Sequence, residues 1–531
     1  AVADVQPDAP AQVHQDRRFT WAQFDRRADG VAAAFLELGV ERQDKVAQYL
    51  YNCPEYLESL YGCFKAGLVP VNTNYRYGDD ELLYLWDNAD AAAVVFHGTF
   101  AERVAGLRAR LPKVRCWLWV DDGTAPCPEW AVDYGEAAST GEGDERCVPP
   151  WGRDGDDLFL LYTGGTTGMP KGVMWRQDDL FSMLNRASLG ARYDLDAGVD
   201  GMRSTLTAPG FVAVPAAPLM HGTGGFIALS ALSTGGCVVT LPSRTFDPVE
   251  LLDAIERHRA NVVAIVGDAF AKPLLRALDA EPERWDITSL LAFVSSGVMW
   301  AEETKQGLLA HHPGMLLVDA FSSSEALGMG MSVSSGAGTA HTAKFALGEN
   351  AKVLDDDGRE VAPGSGRVGR VAVRGRMPVG YYKDEEKSAR TFVVVNGERW
   401  SVPGDYATVE ADGTLRLLGR GSVCINTGGE KVFPEEVEEA LKTHPSVVDA
   451  VAVGVPDDRW GEAVTAVVEA APDAVVDEAD VIAHVRARLA AYKAPKRVVV
   501  VDSIGRAPNG KVDYTRLRAE AVRRVAQVTD R

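Results

Sequence analysis

The sequence has few cysteines, and their spacing excludes the usual cysteine-based sites. Its 531 residues contain seven cysteines, and no two of them form a C-x-x-C pair. An odd number of scattered cysteines in a long chain does not make a disulfide framework, and none of them stands at the spacing of a zinc site. Unpaired thiols are typical of a reducing compartment, so we expect the protein to be cytoplasmic.

The chain also lacks a long hydrophobic run. A membrane-spanning helix needs about 18 or more consecutive apolar residues, and no such stretch occurs. Residues 1–11 have neither the basic start nor the apolar segment of a signal peptide. We therefore expect no membrane span.

Basic residues are in deficit. The 75 acidic residues outnumber the 55 basic ones, so the formal net charge is -20. A protein this acidic is repelled by nucleic acid and by anionic lipid, and neither is expected as the main partner. A local basic pocket for the phosphates of a small molecule remains compatible with this balance.

Apolar bursts alternate with helical patterns over most of the chain. A buried strand is predicted over Ala91–Phe96, and a helix over Leu251–His258 is followed by a strand over Val262–Val266. This alternation predicts an α/β fold with mainly buried sheets. After about Leu347, short strands with turns predict a β-rich subdomain, and the last part predicts a compact α+β domain of about 110 residues.

One glycine- and threonine-rich stretch stands out. It follows a strand predicted over Leu158–Tyr162, which the pair Gly164-Gly165 is expected to end, and it reads Tyr162-Thr163-Gly164-Gly165-Thr166-Thr167-Gly168-Met169-Pro170-Lys171-Gly172. Glycines let backbone N–H groups approach an anion, while hydroxyls and a lysine add donors for phosphate oxygens. It is not a Walker A loop, because Pro170 stands where that motif needs glycine. From the residues alone, a surface loop between a strand and a helix is equally compatible.

This stretch resembles the phosphate-binding signature of the adenylate-forming superfamily, which includes acyl-CoA synthetases, aryl-CoA ligases, luciferases and peptide-synthetase adenylation domains. Further segments resemble the family's motifs in the same order, from roughly Phe19 to Leu517. The resemblance implies an α/β fold with a large N-terminal domain, residues 1–420, of mixed sheets with helices plus a β-rich subdomain. It also implies a small, mobile α+β C-terminal domain, residues 421–531, that carries a catalytic lysine.

The resemblance assigns an ATP site to several motifs. Phe321 would stack on adenine, Ser324 would meet the α-phosphate, and Asp405 would accept hydrogen bonds from both ribose hydroxyls. Glu325, together with Thr167, would hold Mg²⁺, and a carboxylate is chemically apt for a hard cation on phosphates. The remaining residues implied to bind ATP are Thr163, Gly164, Gly165, Thr166, Gly168, Lys171, Ser296, Gly297, Ser322, Arg420 and Lys511.

Other motifs imply an acyl pocket and a site for coenzyme A. Pro218-Leu219-Met220-His221-Gly222 resembles the segment that lines the acyl pocket, which implicates His221, Gly222 and Gly225. This segment has no aspartate, whereas peptide-synthetase domains carry one there to hold an amino group. The implied hinge is Ser422, and the implied wall of the pantetheine tunnel is Gly428 with Gly429. Pro508-Asn509-Gly510-Lys511 resembles the final motif, so Lys511 would be the adenylation lysine.

The resemblance implies an acyl-CoA synthetase that binds ATP, Mg²⁺, CoA and a small carboxylic acid, and it leaves a homodimer open. The phosphate loop and the Gly428–Pro434 segment resemble those of actinobacterial fatty-acid CoA ligases, some of which activate sterol side-chain acids. We therefore expect a medium- or long-chain fatty acid or a steroid side-chain acid. The alternatives are an acyl-AMP ligase that loads a separate carrier protein, an aryl-CoA ligase, and a non-catalytic nucleotide-binding protein.

Overall fold

The computed structural model describes residues 1–139, 146–165, 168–190, 192–298, 300–338, 341–427, 430–457, 460–507 and 510–529. The helices in these ranges are α1 (Val2–Val5), α2 (Trp21–Glu37), α3 (Pro54–Ala66), α4 (Asp79–Asn88), α5 (Ala101–Arg108), α6 (Tyr134–Ser139), α7 (Gln177–Ala187), α8 (Gly198–Thr205), α9 (Gly222–Ser233), α10 (Pro248–His258), α11 (Gly267–Ala280), α12 (Glu302–His311), α13 (Glu385–Thr391), α14 (Pro434–Lys442), α15 (Glu478–Arg486) and α16 (Tyr514–Thr529). The strands are β1 (Pro10–His14), β2 (Arg17–Thr20), β3 (Lys45–Tyr49), β4 (Val69–Asn72), β5 (Ala91–His97), β6 (Cys116–Val120), β7 (Val132–Asp133), β8 (Leu158–Gly165), β9 (Gly168–Arg176), β10 (Val212–Pro215), β11 (Cys237–Thr240), β12 (Val262–Ile265), β13 (Ala292–Ser296), β14 (Leu316–Ser323), β15 (Ala326–Ser334), β16 (Lys344–Leu347), β17 (Ala351–Leu354), β18 (Gly369–Arg374), β19 (Gly380–Tyr381), β20 (Phe392–Val395), β21 (Glu398–Ser401), β22 (Asp405–Val409), β23 (Leu415–Arg420), β24 (Ile425–Thr427), β25 (Glu430–Val432), β26 (Val447–Asp457), β27 (Gly461–Ala470) and β28 (Arg497–Val501).

One sheet of the described residues has the strand order β19-β9-β8-β4-β3-β5-β6-β7. Its strands from β8 to β7 are parallel, and β5 is buried along its whole length, as expected for a strand covered on both faces. Helices α2 and α3 pack against this sheet through the same apolar core. Helix α2 begins at a capping box, in which the Thr20 hydroxyl accepts from the Gln23 amide and the Gln23 side chain accepts from the Thr20 amide.

A second, longer sheet joins the α/β part to the β-rich part. Its path is β2-β1-β11-β10-β12-β13-β14-β15-β16-β23-β22-β18-β21-β20, with β17 paired to β18. Along this path, strands β1, β11, β10, β12, β13 and β14 pair in parallel. The pairing becomes antiparallel from β15 onward. The carboxyl ends of β13 and β14 therefore lie beside the β-rich strands, at the kind of edge where open parallel sheets bind ligands.

The C-terminal part has its own sheet, in the order β25-β24-β27-β26 with β28 beside β27. Helices α14 and α15 contribute to the core on one face of this sheet, and α16 contributes to the core on the other. The predicted fold class, a large mixed-sheet domain with a small α+β domain, is confirmed. The boundary after residue 420 and the mobility of the small domain stay predictions.

One local prediction was wrong. The strand expected to stop at Gly164-Gly165 continues through Gly165 and pairs with β9, where Gly165 lies opposite Gly168. A register shift between Thr163 and Gly165 accommodates the glycines, so the phosphate-loop stretch is a β-hairpin rather than a link between a strand and a helix. In the described ranges, no helix is both long and apolar enough to cross a membrane.

Candidate active site

The glycine- and threonine-rich stretch covers the end of β8 and the start of β9. Gly164, Gly165 and Gly168 belong to these two strands, while Thr166 and Thr167 lie outside the described residues. On β9, Lys171 forms an ion pair with Asp384, the N-cap residue of α13, and holds the pKa of that carboxyl below its usual value. Thr163 pairs with Lys171 across the hairpin. The phosphate-binding roles of these residues stay predictions.

The ends of β13 and β14 bring the predicted adenine residues together. Ser296 is the last residue of β13 and lies in register with Ala320, next to Phe321. Gly297 follows with a φ of +89°, a conformation that side chains other than glycine rarely adopt. Phe321 is buried and packs on Phe345 with a ring-centroid distance of 5.3 Å. Its contact with adenine stays a prediction.

Glu325 lies in the turn between β14 and β15 and is 8% exposed. The Tyr381 hydroxyl donates to its Oε1 at 2.6 Å, and the Ser401 hydroxyl donates to its backbone oxygen at 2.6 Å. Tyr381 lies on β19 of the first sheet and Ser401 on β21 of the second, and together they orient the carboxylate and its backbone. Glu325 is therefore held in one position within a largely buried setting.

Two more hydrogen bonds hold the same turn. The Ser322 hydroxyl accepts from the Gly328 amide at 3.1 Å, and the Trp175 indole donates to the Ser324 backbone oxygen at 2.9 Å. Ser322 thus stabilises the turn through its side chain. Trp175 also joins this turn to β9, the strand that carries Lys171.

Asp405 and Arg420 face each other on β22 and β23. The Arg420 Nε donates to Asp405 Oδ1 at 3.2 Å, and among the described residues Asp405 Oδ2 has no hydrogen-bond partner. Asp405 is 4% exposed, and burial raises its pKa despite the nearby guanidinium. The negative charges of Asp405 and Glu325 raise the pKa of Arg420. The unpaired Oδ2 is an acceptor that a hydroxyl donor could satisfy.

Lys511 reaches this group from the C-terminal domain. A Cβ on the preceding residue, Gly510, would lie 2.5 Å from Val298 Cγ2, so the chain comes very close to the N-terminal domain there. Burial and the charge of Arg420 lower the Lys511 pKa, and Glu325 opposes this shift. The lysine remains accessible to solvent at the same time. It therefore lies in a cleft where the charges of Arg420 and Glu325 act on it.

A largely apolar cavity lies next to this cleft, between α3, α9 and strands β3, β4 and β8. His221, Gly222 and Gly225 line it together with side chains from α3. A Cβ on Gly225 would come 2.6 Å from the Leu219 backbone oxygen, so glycine is needed for α9 to pack here. Burial lowers the His221 pKa to about 3, with smaller effects from Lys511 and Arg76. His221 is therefore neutral near pH 7, and the charge of Lys511 reaches the cavity.

Residues 1–382 match the sequence model described as AMP-binding enzyme, and residues 436–511 match that of the AMP-binding enzyme C-terminal domain. The chain belongs to the AMP-binding enzyme family. This confirms the predicted membership of the adenylate-forming enzymes.

Relatives of this AMP-binding enzyme carry CoA-ligase names. A medium/long-chain-fatty-acid–CoA/3-oxocholest-4-en-26-oate–CoA ligase of Mycolicibacterium smegmatis is 40% identical, over 96% of this chain and 93% of that protein. A 3-oxocholest-4-en-26-oate–CoA ligase of Rhodococcus rhodochrous is also 40% identical, with the same coverage. The crystal structure of ATP-bound MatB from Rhodopseudomonas palustris is 27% identical with a TM-score of 0.79, over 98% of both chains. These names agree with the predicted acid–thiol ligase.

The segment that follows Arg420 contains the predicted hinge residue, Ser422. Residues Gly421–Val423, which include Ser422, form a short 3-10 turn between β23 and β24. On α14, Glu435 Oε1 accepts from the Arg420 amide at 3.4 Å, while Oε2 has no partner among the described residues. Burial, Glu438 and Asp405 raise the Glu435 pKa to about 8. Gly428 and Gly429 lie outside the described residues.

Sequence reasoning missed several residues of the site. Tyr381 on Glu325 and Asp384 on Lys171 come from a short strand and a helix cap that carry no local signal of function. Gln48 and Asn72 line the cavity from β3 and β4. A polar residue within an otherwise apolar strand was the sequence signal that could have identified them.

Proposed function

We propose that this chain is an ATP-dependent acyl-CoA synthetase that activates a hydrophobic carboxylic acid, either a medium- or long-chain fatty acid or a steroid side-chain acid. The observation that carries the proposal is the position of Lys511. The preceding residue, Gly510, lies against Val298 of the N-terminal domain. The charge of Lys511 affects the pKa of His221 at the apolar cavity, and Arg420 and Glu325 affect the pKa of Lys511. A cation within reach of both regions can neutralise an attacking carboxylate and an α-phosphate together.

The first half-reaction joins the acid to AMP. A carboxylate oxygen attacks the α-phosphorus of ATP, the bond to the β,γ-diphosphate breaks, and pyrophosphate leaves with that electron pair. Lys511 and Arg420 would offset the negative charge near the α-phosphate, and Asp405 would hold the ribose hydroxyls through its unpaired Oδ2. Such chemistry depends mainly on positioning and on charge neutralisation, which these residues can supply.

The second half-reaction transfers the acyl group. The sulfur of CoA attacks the acyl carbon, the bond to the phosphate oxygen of AMP breaks, and the thiol proton passes to solvent. We propose that the C-terminal domain reorients about Ser422 between the two steps, which withdraws Lys511 and brings Gly428 and Gly429 to the CoA tunnel. The close approach of Gly510 to Val298 supports the first of these two arrangements.

Mg²⁺ is part of the proposal. Within the described ranges no three His, Cys, Asp or Glu side chains form a metal cage, and Glu325 presents a largely buried, oriented carboxylate at the nucleotide cleft. This donor set fits Mg²⁺ carried on ATP phosphates, because that ion uses few protein carboxylates and retains water and phosphate ligands. Glu325 would hold it with Thr167, and the bound ion would neutralise phosphate charge.

A cytoplasmic location and a homodimer are further parts of the proposal. The cysteines form no disulfide among the described residues, which supports a reducing compartment. The homodimer rests on the family resemblance alone, and the molar mass in solution tests it.

The test is product analysis with ATP, Mg²⁺, CoA and a panel of short, long, aromatic and steroid acids. We expect a thioester, AMP and pyrophosphate with hydrophobic acids, and no pyrophosphate from Lys511→Ala. Conversion of pre-formed acyl-AMP plus CoA to thioester should survive in that variant, which controls for its folding.

Other outcomes would select the alternatives. Acyl-AMP without thioester would indicate a carrier protein as acceptor, and turnover of aromatic acids alone would indicate an aryl-CoA ligase. ATP binding without pyrophosphate release from any acid would contradict an enzyme and favour a nucleotide-binding protein.

A further inference from the structure

Three polar side chains, Gln48, Asn72 and His221, line the cavity, and among the described residues Gln48 Oε1 and His221 Nε2 have no hydrogen-bond partner. The cavity lining is mostly apolar and includes Leu57 and Leu60 of α3 with Phe159 and Leu161 of β8. Such a surface is chemically suited to a hydrocarbon chain and offers it no hydrogen bonds. Its free volume of about 20 Å³ has space for about one water molecule, so the wall must open for a chain to enter. Gln48 on β3 interrupts it with a polar side chain that is only 1% exposed.

The orientation of the Gln48 amide is set by its neighbours. Its Nε2 donates to the Tyr56 backbone oxygen at 2.7 Å and to the Ser59 hydroxyl at 2.8 Å. The Ser59 hydroxyl donates its own proton to the same Tyr56 oxygen at 3.1 Å, so it can only accept from Gln48. If the amide were flipped, Oε1 would face the Tyr56 backbone oxygen, and two acceptors would lie against each other. Nε2 must therefore face Tyr56 and Ser59, and Oε1 is the atom without a partner.

Gln48 Oε1 is buried and has no donor among the described residues. A buried acceptor without a partner destabilises the unliganded protein. A ligand that supplies the missing donor removes this penalty and therefore binds more tightly. Asn72 shows the contrast. It lines the same cavity, but its amide donates to the Tyr162 and Met220 backbone oxygens and its oxygen accepts from the Tyr162 amide, so no group is left over.

We propose that Gln48 is a specificity residue that selects acids bearing a hydroxyl group on the acyl chain. This inference rests on the proposed function, in which Lys511 near His221 places the carboxylate at one end of the cavity and leaves the chain beside Gln48. The hydroxyl proton is donated to Oε1. A ketone or ether at the same carbon has no proton to donate and leaves Oε1 unpaired.

The experiment compares matched acids of medium chain length: the unsubstituted acid, its monohydroxy derivatives at successive carbons, and the ketones at the same carbons. Equilibrium binding to the wild-type protein and kcat/KM for thioester formation are both measured. We expect one hydroxyl position to exceed both the ketone and the unsubstituted acid by roughly tenfold, the size of one hydrogen bond to an otherwise unpaired buried group.

Gln48→Met removes the acceptor with an unbranched side chain of similar length, and it should bring the hydroxyl-to-ketone ratio close to one. The Ser59 hydroxyl still satisfies the Tyr56 oxygen in that variant. Leu60→Met changes the same wall without touching a polar group and should keep the wild-type ratio.

Two results would overturn the inference: a ratio near one at every position in the wild-type protein, or a preference that survives Gln48→Met. Failure of every acid to form an adenylate or a thioester would instead overturn the proposed function. The binding ratios would still decide the role of Gln48 in that case, because they do not require turnover.

Discussion

Replacement of Asp405 by asparagine tests the nucleotide half of the site most directly. The variant keeps the shape of the side chain and an oxygen for Arg420, whose Nε donates to Oδ1 at 3.2 Å. It removes the negative charge and converts the unpaired Oδ2 from an acceptor into a donor group. If that oxygen binds the ribose, Asp405→Asn must weaken the contacts that depend on the ribose hydroxyl protons.

The expected magnitude follows from the setting of the carboxylate. Asp405 is 4% exposed, so a hydrogen bond to it is shielded from water. Hydrogen bonds to charged groups contribute about 1.5–3 kcal/mol, which corresponds to roughly 10- to 150-fold in an equilibrium constant. We expect the affinity of the wild-type protein for 2′,3′-dideoxy-ATP to be lower than for ATP by a factor in that range.

The assay is a cycle of two proteins and two nucleotides, read by equilibrium binding. In Asp405→Asn the penalty for losing the ribose hydroxyls should shrink to about threefold or less, because the acceptor is already gone. Asp412→Asn serves as the control, since Asp412 is exposed, pairs with Lys344 and should keep the wild-type penalty. An equal dideoxy penalty in Asp405→Asn and the wild type would refute the assignment.

Three further predictions concern neighbouring groups. Burial and Arg420 lower the Lys511 pKa, so the rate of pyrophosphate release should decline with rising pH at a pH below the usual lysine pKa. Lys511→Arg should shift this decline to higher pH, and an unchanged pH profile in the variant would contradict the prediction. The Glu435 pKa of about 8 lies above its ordinary 4.5, so the folded protein retains a proton that the unfolded chain loses, and stability falls as pH rises through that window. The thermal midpoint of Glu435→Gln, relative to that of the wild type, should therefore be higher at pH 8.5 than at pH 5. A difference that is the same at both pH values would argue against a buried acid. Tyr381→Phe frees Glu325 Oε1 and should raise the Mg²⁺ concentration for half-maximal pyrophosphate release by roughly 10-fold or more; an unchanged requirement would count against Glu325 as the metal residue.

Local patterns predicted much of the secondary structure. The sequence predicts a helix over Pro434–Lys442, with a proline at its start, and a strand over Arg497–Val501, and both elements have those bounds in the structure. Proline at a first helical position and a short β-branched run are signals contained within a few residues, so they survive without knowledge of the rest of the chain. The β8–β9 hairpin was missed because its strand depends on a partner strand, and pairing overrides the tendency of two glycines to end it.

The order of the motifs determined the family, and with it a list of candidate residues, from the sequence alone. Tertiary structure decided which of them share a cleft. Sheet register sets Asp405 opposite Arg420, and docking of the C-terminal domain brings Lys511 near both Glu325 and His221. The Tyr381 donor on Glu325 and the unpaired oxygen of Gln48 likewise emerge only there. These relations join residues far apart in the chain, and they depend on strand register and domain contact, which a local pattern does not encode.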